Sequence, residues 1–239
     1  MKKIARIFCS VSGGLTSAVM ASQIREQYSF AEIRFGMANT GLETHQTMLF
    51  ARNVDRFFKL KLGLVEAVVH PGRKACTHKL VTFDDASMNG QPMEAVIKKY
   101  GIPTHGHLHC TRETKANPLR SWLADTGWKP GTYRLAIGIR ADEEDRINPE
   151  ARNSIQFVYP LAERGQTLED IHEIAAEWPF KLDQPAHEGN CKDCHKKSEL
   201  KTVINIKNHP DWFDFALRMD SEHGQGRKRY RGNRTAAEM

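Results

Sequence analysis

The sequence predicts an α/β protein: a mostly parallel twisted sheet with helices on both faces. Short apolar runs alternate with segments of helical periodicity through the first half of the chain. A Gly-Gly turn joins the first run to the first helical segment. With 40% hydrophobic and 27% charged residues, the composition suits a globular domain.

Residues 4–10 form a short apolar run, read as a buried strand, and Gly13-Gly14 turns the chain after it. Residues 16–26 follow a helical pattern, with Val19, Met20 and Ile24 on one side. Residues 33–37 are a second strand, closed by Asn39-Thr40-Gly41. The clearest helix covers 44–60, where Phe50, Val54, Phe57 and Phe58 fall at i, i+4, i+7 and i+8. A third strand over 64–69 stops at Pro71-Gly72. Residues 72–109 are less regular, with one helix over 93–100 and a loop in which His105, His107 and His109 alternate. Strands follow over 133–139 and 155–159. Thr167 opens a helix with Asp170 three residues on, a capping-box-like start, and that helix ends before Pro179. Helices over 196–207 and 211–219 flank Pro210. Ligands in such folds bind beyond the carboxyl ends of the strands, so the loops after Ser10, Met37 and Ile139 are expected on one rim. The expected organisation is a nucleotide-binding domain over 1–209 and a C-terminal helix with a basic tail over 210–239.

Charge and cysteine usage narrow the function classes. The net charge is +6. Arg227, Lys228, Arg229, Arg231 and Arg234 crowd the end of the chain around Tyr230. Such a cluster holds the phosphates of a nucleic acid or a nucleotide; a solvated tail is the other reading. No run of about 18 apolar residues is present, so no membrane partner is expected. The basic start breaks at Arg6 before any signal-peptide core, and a cytoplasmic location is expected. Five cysteines, an odd number, argue against a disulfide framework and for metal or redox chemistry.

The first chemical motif is Ser12-Gly13-Gly14-Leu15-Thr16-Ser17, between a strand and a helix. Two glycines let the backbone approach a phosphate, the helix points free N–H groups at the anion, and three hydroxyls add donors. It is neither a Walker loop nor a dinucleotide fingerprint. Ser-Gly-Gly-x-x-Ser in this setting resembles the PP-loop of N-type ATP pyrophosphatases, and within them the phosphoadenosine-phosphosulfate (PAPS) reductase family. Further segments recur in family order: Asn39 to Glu43, Cys110 to Lys115 with Pro118-Leu119, Gly138 to Glu143, and Tyr159-Pro160-Leu161. They extend from about residue 7 to residue 198, some four-fifths of the chain.

The resemblance implies an ATP- or PAPS-like adenine nucleotide, with phosphates on Ser12, Gly13, Gly14, Thr16 and Ser17. Asn39, Thr40 and Gly41 would lie near it, Arg140 would meet a phosphate or sulfate, and Asp142 would help position Mg2+. The lysine common in the variable part of such loops is absent, since Leu15-Thr16 stands there; Lys115, Arg112 or Arg140 are the candidates to replace its charge.

Cys110 and the pair Cys191-x-x-Cys194, with 80 residues between Cys110 and Cys191, form a second constellation. The spacing resembles that of adenylylsulfate reductases, which hold a [4Fe–4S] cluster. His109 replaces the first cysteine of their pair, leaving three thiolates and His109 or an open position as the fourth ligand. Zinc in a Cys3His site is the alternative. Sulfonucleotide reductases of the family also carry a C-terminal catalytic cysteine, and no cysteine follows Cys194 here. The expectation is therefore ATP-dependent adenylation with pyrophosphate release, coupled to sulfur transfer through Cys110, Cys191 and Cys194, with Asp142 assisting. A nucleic-acid acceptor and a sulfur-donor protein are the implied partners. PAPS or adenylylsulfate reduction is the second reading. A non-catalytic zinc-containing nucleotide- or nucleic-acid-binding module is the third.

Overall fold

A computed structural model describes residues 6–104, 107–148, 150, 154–224 and 234–239. His105 and the basic residues Arg227, Lys228, Arg229 and Arg231 lie outside the described residues. The chain is an α/β protein. Its six-stranded, mostly parallel sheet has the order β4-β3-β2-β1-β5-β6. The strands are β1 (Arg6–Ser10), β2 (Glu32–Asn39), β3 (Gly63–Val68), β4 (Thr77–Leu80), β5 (Arg134–Ala136) and β6 (Gln156–Val158). β1 runs parallel to β2 on one side and to β5 on the other, and β5 is parallel to β6. Ile7, Phe8 and Cys9 are all buried, the continuous apolar run of a parallel strand covered on both faces.

The helices are α1 (Leu15–Gln27), α2 (His45–Phe58), α3 (Gln91–Tyr100), α4 (Asn117–Asp125), α5 (Pro160–Glu163), α6 (Leu168–Ala176), α7 (Glu199–Asn208) and α8 (Asp214–His223). The start expected at Thr167 is present: Thr167 N and Oγ1 both donate to Asp170 Oδ2, at 2.7 and 2.8 Å.

Several expectations needed correction. The irregular segment hides β4, antiparallel to β3. Its sequence Thr-His-Lys-Leu is half exposed and lacks apolar alternation, as edge strands commonly do. α4 was not foreseen, nor was the turn of π-helix over Thr111–Ala116 that precedes it. The strand expected over 133–139 is only three residues long, because Gly138 leaves the sheet to cross the start of α1. The helix expected from residue 196 starts at Glu199, behind the N-cap Ser198, whose side chain accepts from Lys201 N. A 3-10 turn, Pro210–Phe213, occupies the first half of the helix expected over 211–219, and α8 begins after it.

The chain divides into two compact units. The first comprises 1–37, 46–64 and 122–183. Its core joins Phe8 to Trp122 and Tyr133 edge to face, and Phe50 and Phe58 to Trp178. The second comprises 38–45, 65–121 and 184–239. Leu42, Met93, Ile97 and Met219 form its core, with Cys110, Cys191 and Phe215 packed against them.

In the first unit, a Cβ on Gly63 would run into the Trp122 ring, and one on Gly36 would meet Phe8 at 2.7 Å. Gly63→Ala is expected to lower stability by about 1–3 kcal/mol through overpacking. Adding Trp122→Leu should recover part of that loss. Urea unfolding of the single and double variants tests the coupling, and additive losses would show that the two residues do not share this contact.

Candidate active site: a phosphate loop and a cysteine cavity

In the first unit, the loop after β1 is braced by its own serines. Ser17 Oγ lies 3.0 Å from Ser12 N and 3.0 Å from Ser12 Oγ, and donates to Gly14 O at 2.9 Å. Gly13 has φ +80°, and a Cβ there would sit 2.5 Å from Thr47 Cγ2. Both backbone and space therefore demand glycine at 13. Gly14 differs: it N-caps α1 with φ −94° and ψ 160°, an extended conformation open to any residue. No side chain caps the first turn of α1, which leaves its positive end available to an anion. Gly138 is pressed against this turn, its Cβ position 3.3 Å from Ser17 Cα and 3.4 Å from Thr16 O.

Arg140 and Asp142 follow Gly138. Arg140 Nε and Nη2 contact Asp142 Oδ1 and Oδ2 at 2.8 and 3.3 Å, a two-point pair. Glu143 approaches Arg140 at 3.3 Å and also binds Arg146. The hydrogen bonds from Arg140 hold the Asp142 carboxyl below its usual range. The two residues thus satisfy each other, and phosphate or Mg2+ must compete with that pair.

In the second unit, Asn39, Thr40 and Gly41 are all buried, and their polar groups meet both their own loop and more distant segments. Asn39 Nδ2 donates to Glu66 Oε1 at 2.7 Å and Ser87 O at 2.8 Å, while its Oδ1 accepts from Gly41 N at 3.0 Å. Thr40 N and Oγ1 both donate to Glu43 Oε2 at 2.8 Å. Gly41, at φ +81°, makes the turn.

Behind this loop the three sequence-predicted cysteines come to one cavity of about 200 Å³, against about 10–15 Å³ for one water. Cys110 sits at the start of the π-helical turn, and its carbonyl accepts from Thr114 Oγ1 at 2.7 Å. The Cys191–Cys194 loop docks on the segment after β2. Glu43 and Cys191 form an antiparallel bridge, Lys192 N donates to Leu42 O at 2.7 Å, and Thr44 N donates to Asn190 O at 3.1 Å. Lys197 Nζ clips the loop from within, donating to Cys191 O at 2.6 Å and Lys192 O at 2.9 Å.

Lys115 lines the same cavity, its Nζ 3.9 Å from Glu43 Oε1. Desolvation works against that ammonium, but Glu43 and the three sulfurs outweigh it and hold its pKa above the usual range. Burial pushes the Cys191 thiol up, reinforced by Glu43, and pushes Cys110 up as well. All three thiols are free of disulfides. Among the described residues, no three His, Cys, Asp or Glu side chains are already gathered as a metal site. The donor set and the space suit a three-thiolate centre, and the loop or Cys110 must close further to bind one.

His109 does not line this cavity. Its Nε2 lies 2.9 Å from Gly101 O, its ring is tilted against Tyr100, and burial lowers its pKa. Arg112 is turned to Glu113, at 2.7 Å. Sequence reasoning passed over Glu43, Glu66 and Lys197. Glu43 was visible at the end of Asn39-Thr40-Gly41-Leu42-Glu43, where a carboxylate three residues after a threonine signals a local turn. Lys197 carried no such signal.

Comparison with descriptions of known protein families returns no match. The uncharacterized nin region protein ORF290 of Escherichia phage lambda is similar in sequence, 29% identical over 204 residues, covering 83% of this chain and 68% of that protein. Two solved structures are similar. One is a phosphoadenylyl-sulfate (PAPS) reductase from Candida auris in a phosphate complex, 15% identical, covering 72% of this chain and 71% of that one, TM-score 0.46. The other is the U34-tRNA thiolase NcsA from Methanococcus maripaludis with its [4Fe–4S] cluster, 14% identical, covering 92% and 73%, TM-score 0.47. Similarities of this size leave the functional reading to the residues of this chain.

The two loop glycines are expected to respond differently. Gly13→Ala should destabilise the protein by at least about 1 kcal/mol, since it strains a positive φ. Gly14→Val should leave unfolding within about 0.5 kcal/mol of the parent and abolish ATP binding in calorimetric titration. Unchanged affinity in Gly14→Val would remove the loop from the site. At the cavity, metal-free protein should show slow iodoacetamide labelling of Cys110 and Cys191 at neutral pH. The rate should climb only well above the range of an ordinary thiol, about pH 8.5. Mass spectrometry of labelled peptides reads this, and fast labelling at pH 7 would contradict the burial effect.

Proposed function

We propose that the chain is an adenine-nucleotide-binding, PAPS reductase-like enzyme that adenylates an acceptor oxygen and delivers sulfur to the activated carbon. The observation that carries this reading is the meeting of Cys110, Cys191, Cys194 and Lys115 at one cavity.

The Ser12–Ser17 loop would hold the ATP phosphates on backbone N–H groups at the start of α1, with Thr16 and Ser17 adding hydroxyls. An acceptor oxygen attacks the α-phosphorus, the bond to the bridging oxygen breaks, and pyrophosphate leaves. Sulfide or a hydropersulfide sulfur then forms the carbon–sulfur bond as the carbon–oxygen bond breaks and AMP departs. Sulfur carried as a persulfide on one cysteine needs a second thiol to take over its sulfur–sulfur bond, leaving a disulfide, and Cys191 and Cys194 supply such a pair. Two thiols of an external reductant restore the site. Catalysis comes from positioning and charge stabilisation around phosphate. Arg140 would reach a phosphate on release from Asp142, which frees that carboxylate to position Mg2+.

Cys110, Cys191 and Cys194 would hold a [4Fe–4S] cluster, or zinc, once their loops close. Such a cluster, in place of the persulfide route through Cys191 and Cys194, would supply iron able to bind the sulfur to be transferred. The basic run around Tyr230 supports a nucleic acid as acceptor, and a sulfur-donor protein is the expected partner. Reduction of PAPS or adenylylsulfate would require Cys191 or Cys194 as nucleophile, which burial of Cys191 disfavours.

Incubation with labelled ATP and with labelled PAPS separates the readings. Pyrophosphate release from ATP, stimulated by RNA and lost in Gly14→Val, is the expected result. Sulfite release from PAPS without pyrophosphate release from ATP would replace this proposal with the reductase. Iron and acid-labile sulfide analysis after anaerobic purification distinguishes a cluster from zinc.

A further inference from the structure

We propose that the cavity beside the three thiols is a preformed slot for an uncharged flat ring, the heterocycle of the sulfur acceptor, and that it rejects sulfate and phosphate. This deepens the reading of the thiols as a sulfur-transfer site and rests on it, but not on the nucleotide loop.

Two helices of the second unit make the walls. Met93 and Ile97 come from α3, and Phe215 and Met219 from α8. Their spacing is fixed outside the cavity. Arg218 on α8 pairs with Glu94 on α3 at 2.9 Å. Phe215 packs so closely over Gly90, ahead of α3, that a Cβ there would strike its ring. The end of the chain ties α8 down from behind: Ala236 N donates to Asp220 Oδ2 at 2.8 Å, and Ala236 is buried against Ala216. Walls held in this way form a slot before any ligand arrives, as small-molecule sites generally do. Thioether and aromatic surfaces suit the face of a ring.

The charges argue for a neutral ligand. The ammonium groups lining the cavity, Lys115 and Lys196, are offset by Asp193 in the lining and by Glu43 against Lys115. No arginine lines it among the described residues. A sulfate or phosphate would lose its hydration against an apolar wall without a cation committed to it. A neutral ring loses little and gains apolar contact.

Methyl-13C-methionine NMR of the full-length protein, purified anaerobically, tests this. Met93 and Met219 report on the slot. Met37, which packs beside Gly13 with its Cε 3.1 Å from a Cβ position there, reports on the nucleotide loop. Uridine and cytidine, used as neutral ring probes, should shift the Met93 and Met219 methyls saturably, and sulfate or phosphate at equal concentration should not. Phe215→Leu should weaken the probe by about tenfold. Met93→Leu, a volume-conserving change on the opposite wall, gives a second measurement should Phe215→Leu fold poorly. A short single-stranded RNA that moves the same methyls at lower concentration would place the ring in a polynucleotide; saturation by the free nucleoside alone would place it in a small molecule. Either supports the slot. Unmoved Met93 and Met219 signals with every ring, or equal shifts with sulfate, would overturn it. ATP that fails to move Met37 while nucleosides still move Met93 and Met219 would sink the adenylation reading and leave the slot standing.

Discussion

A pairing of three residues against three holds the cysteine site together. Residues 42–44 and residues 190–192 lie almost 150 positions apart, yet they join as a short antiparallel ladder: Lys192 N to Leu42 O at 2.7 Å and Thr44 N to Asn190 O at 3.1 Å. Without it the Cys-x-x-Cys loop would be a surface turn with two thiols and no third. With it, Cys191 is seated against Leu42, Met93 and Met219, and Cys110 joins the same cluster. Ladder bonds at such long sequence separation form only after the surrounding core has been ordered, because loop closure must be compensated first. The thiol site is therefore a property of the folded second unit, and Lys197 completes it by binding two carbonyls that the ladder leaves over.

Glu43, at the centre of that ladder, connects backbone pairing to electrostatics. Its carboxylate is buried, which is unfavourable unless several donors meet it. Thr40 supplies two hydrogen bonds and Lys115 a charge at 3.9 Å. The same carboxylate shapes the turn after β2 and fixes the ammonium among the sulfurs. Removing it would leave Lys115 facing an apolar cavity, so loop shape and cavity charge cannot be altered separately. The phosphate loop of the first unit is built differently. Its hydrogen bonds are local, serine to serine and glycine to helix start, while Met37, Thr47 and Gly138 close on it from distant stretches.

That difference decides what the sequence made legible. The loop over 12–17 was readable because the hydrogen bonds that brace it span five residues or fewer. The strands β1, β2 and β3 were readable as short, largely apolar runs, and the α6 start as Thr167 with Asp170. β4 escaped because an exposed edge strand has no apolar pattern to find. α4 escaped because the segment from Cys110 to Leu119 was read for its motif and not for its periodicity; Pro118 sits in the first turn of α4, where proline is tolerated. The convergence of the three cysteines was inferred from spacing that resembles a family, and the contacts that produce it could not be: the 42–44 to 190–192 ladder involves backbone atoms, on which side-chain identity has little to say. His109 was assigned to the sulfurs because it occupies a cysteine's place in the resemblance, yet adjacent residues on a helical start point in different directions, and its ring turns to Gly101.

The charge balance of the cysteine cavity limits what it can hold. Glu43 and Lys115 cancel, and burial keeps the Cys110 and Cys191 thiols protonated in the absence of a cation. Ionising all three cysteines would set five negative charges, counting Glu43 and Asp193, against the two ammonium groups of Lys115 and Lys196, in surroundings that solvate charge poorly. Three thiolates therefore arise only together with a multiply charged ion that they bind, and binding releases protons to solvent. A neutral ligand makes no such demand and leaves the thiols as they are. One cavity thus offers two chemistries: ionised sulfur where a soft cation neutralises it, and an apolar slot between α3 and α8 where nothing needs neutralising. Sulfur transfer to an uncharged ring requires both features, a sulfur atom held by charge and an acceptor held without it.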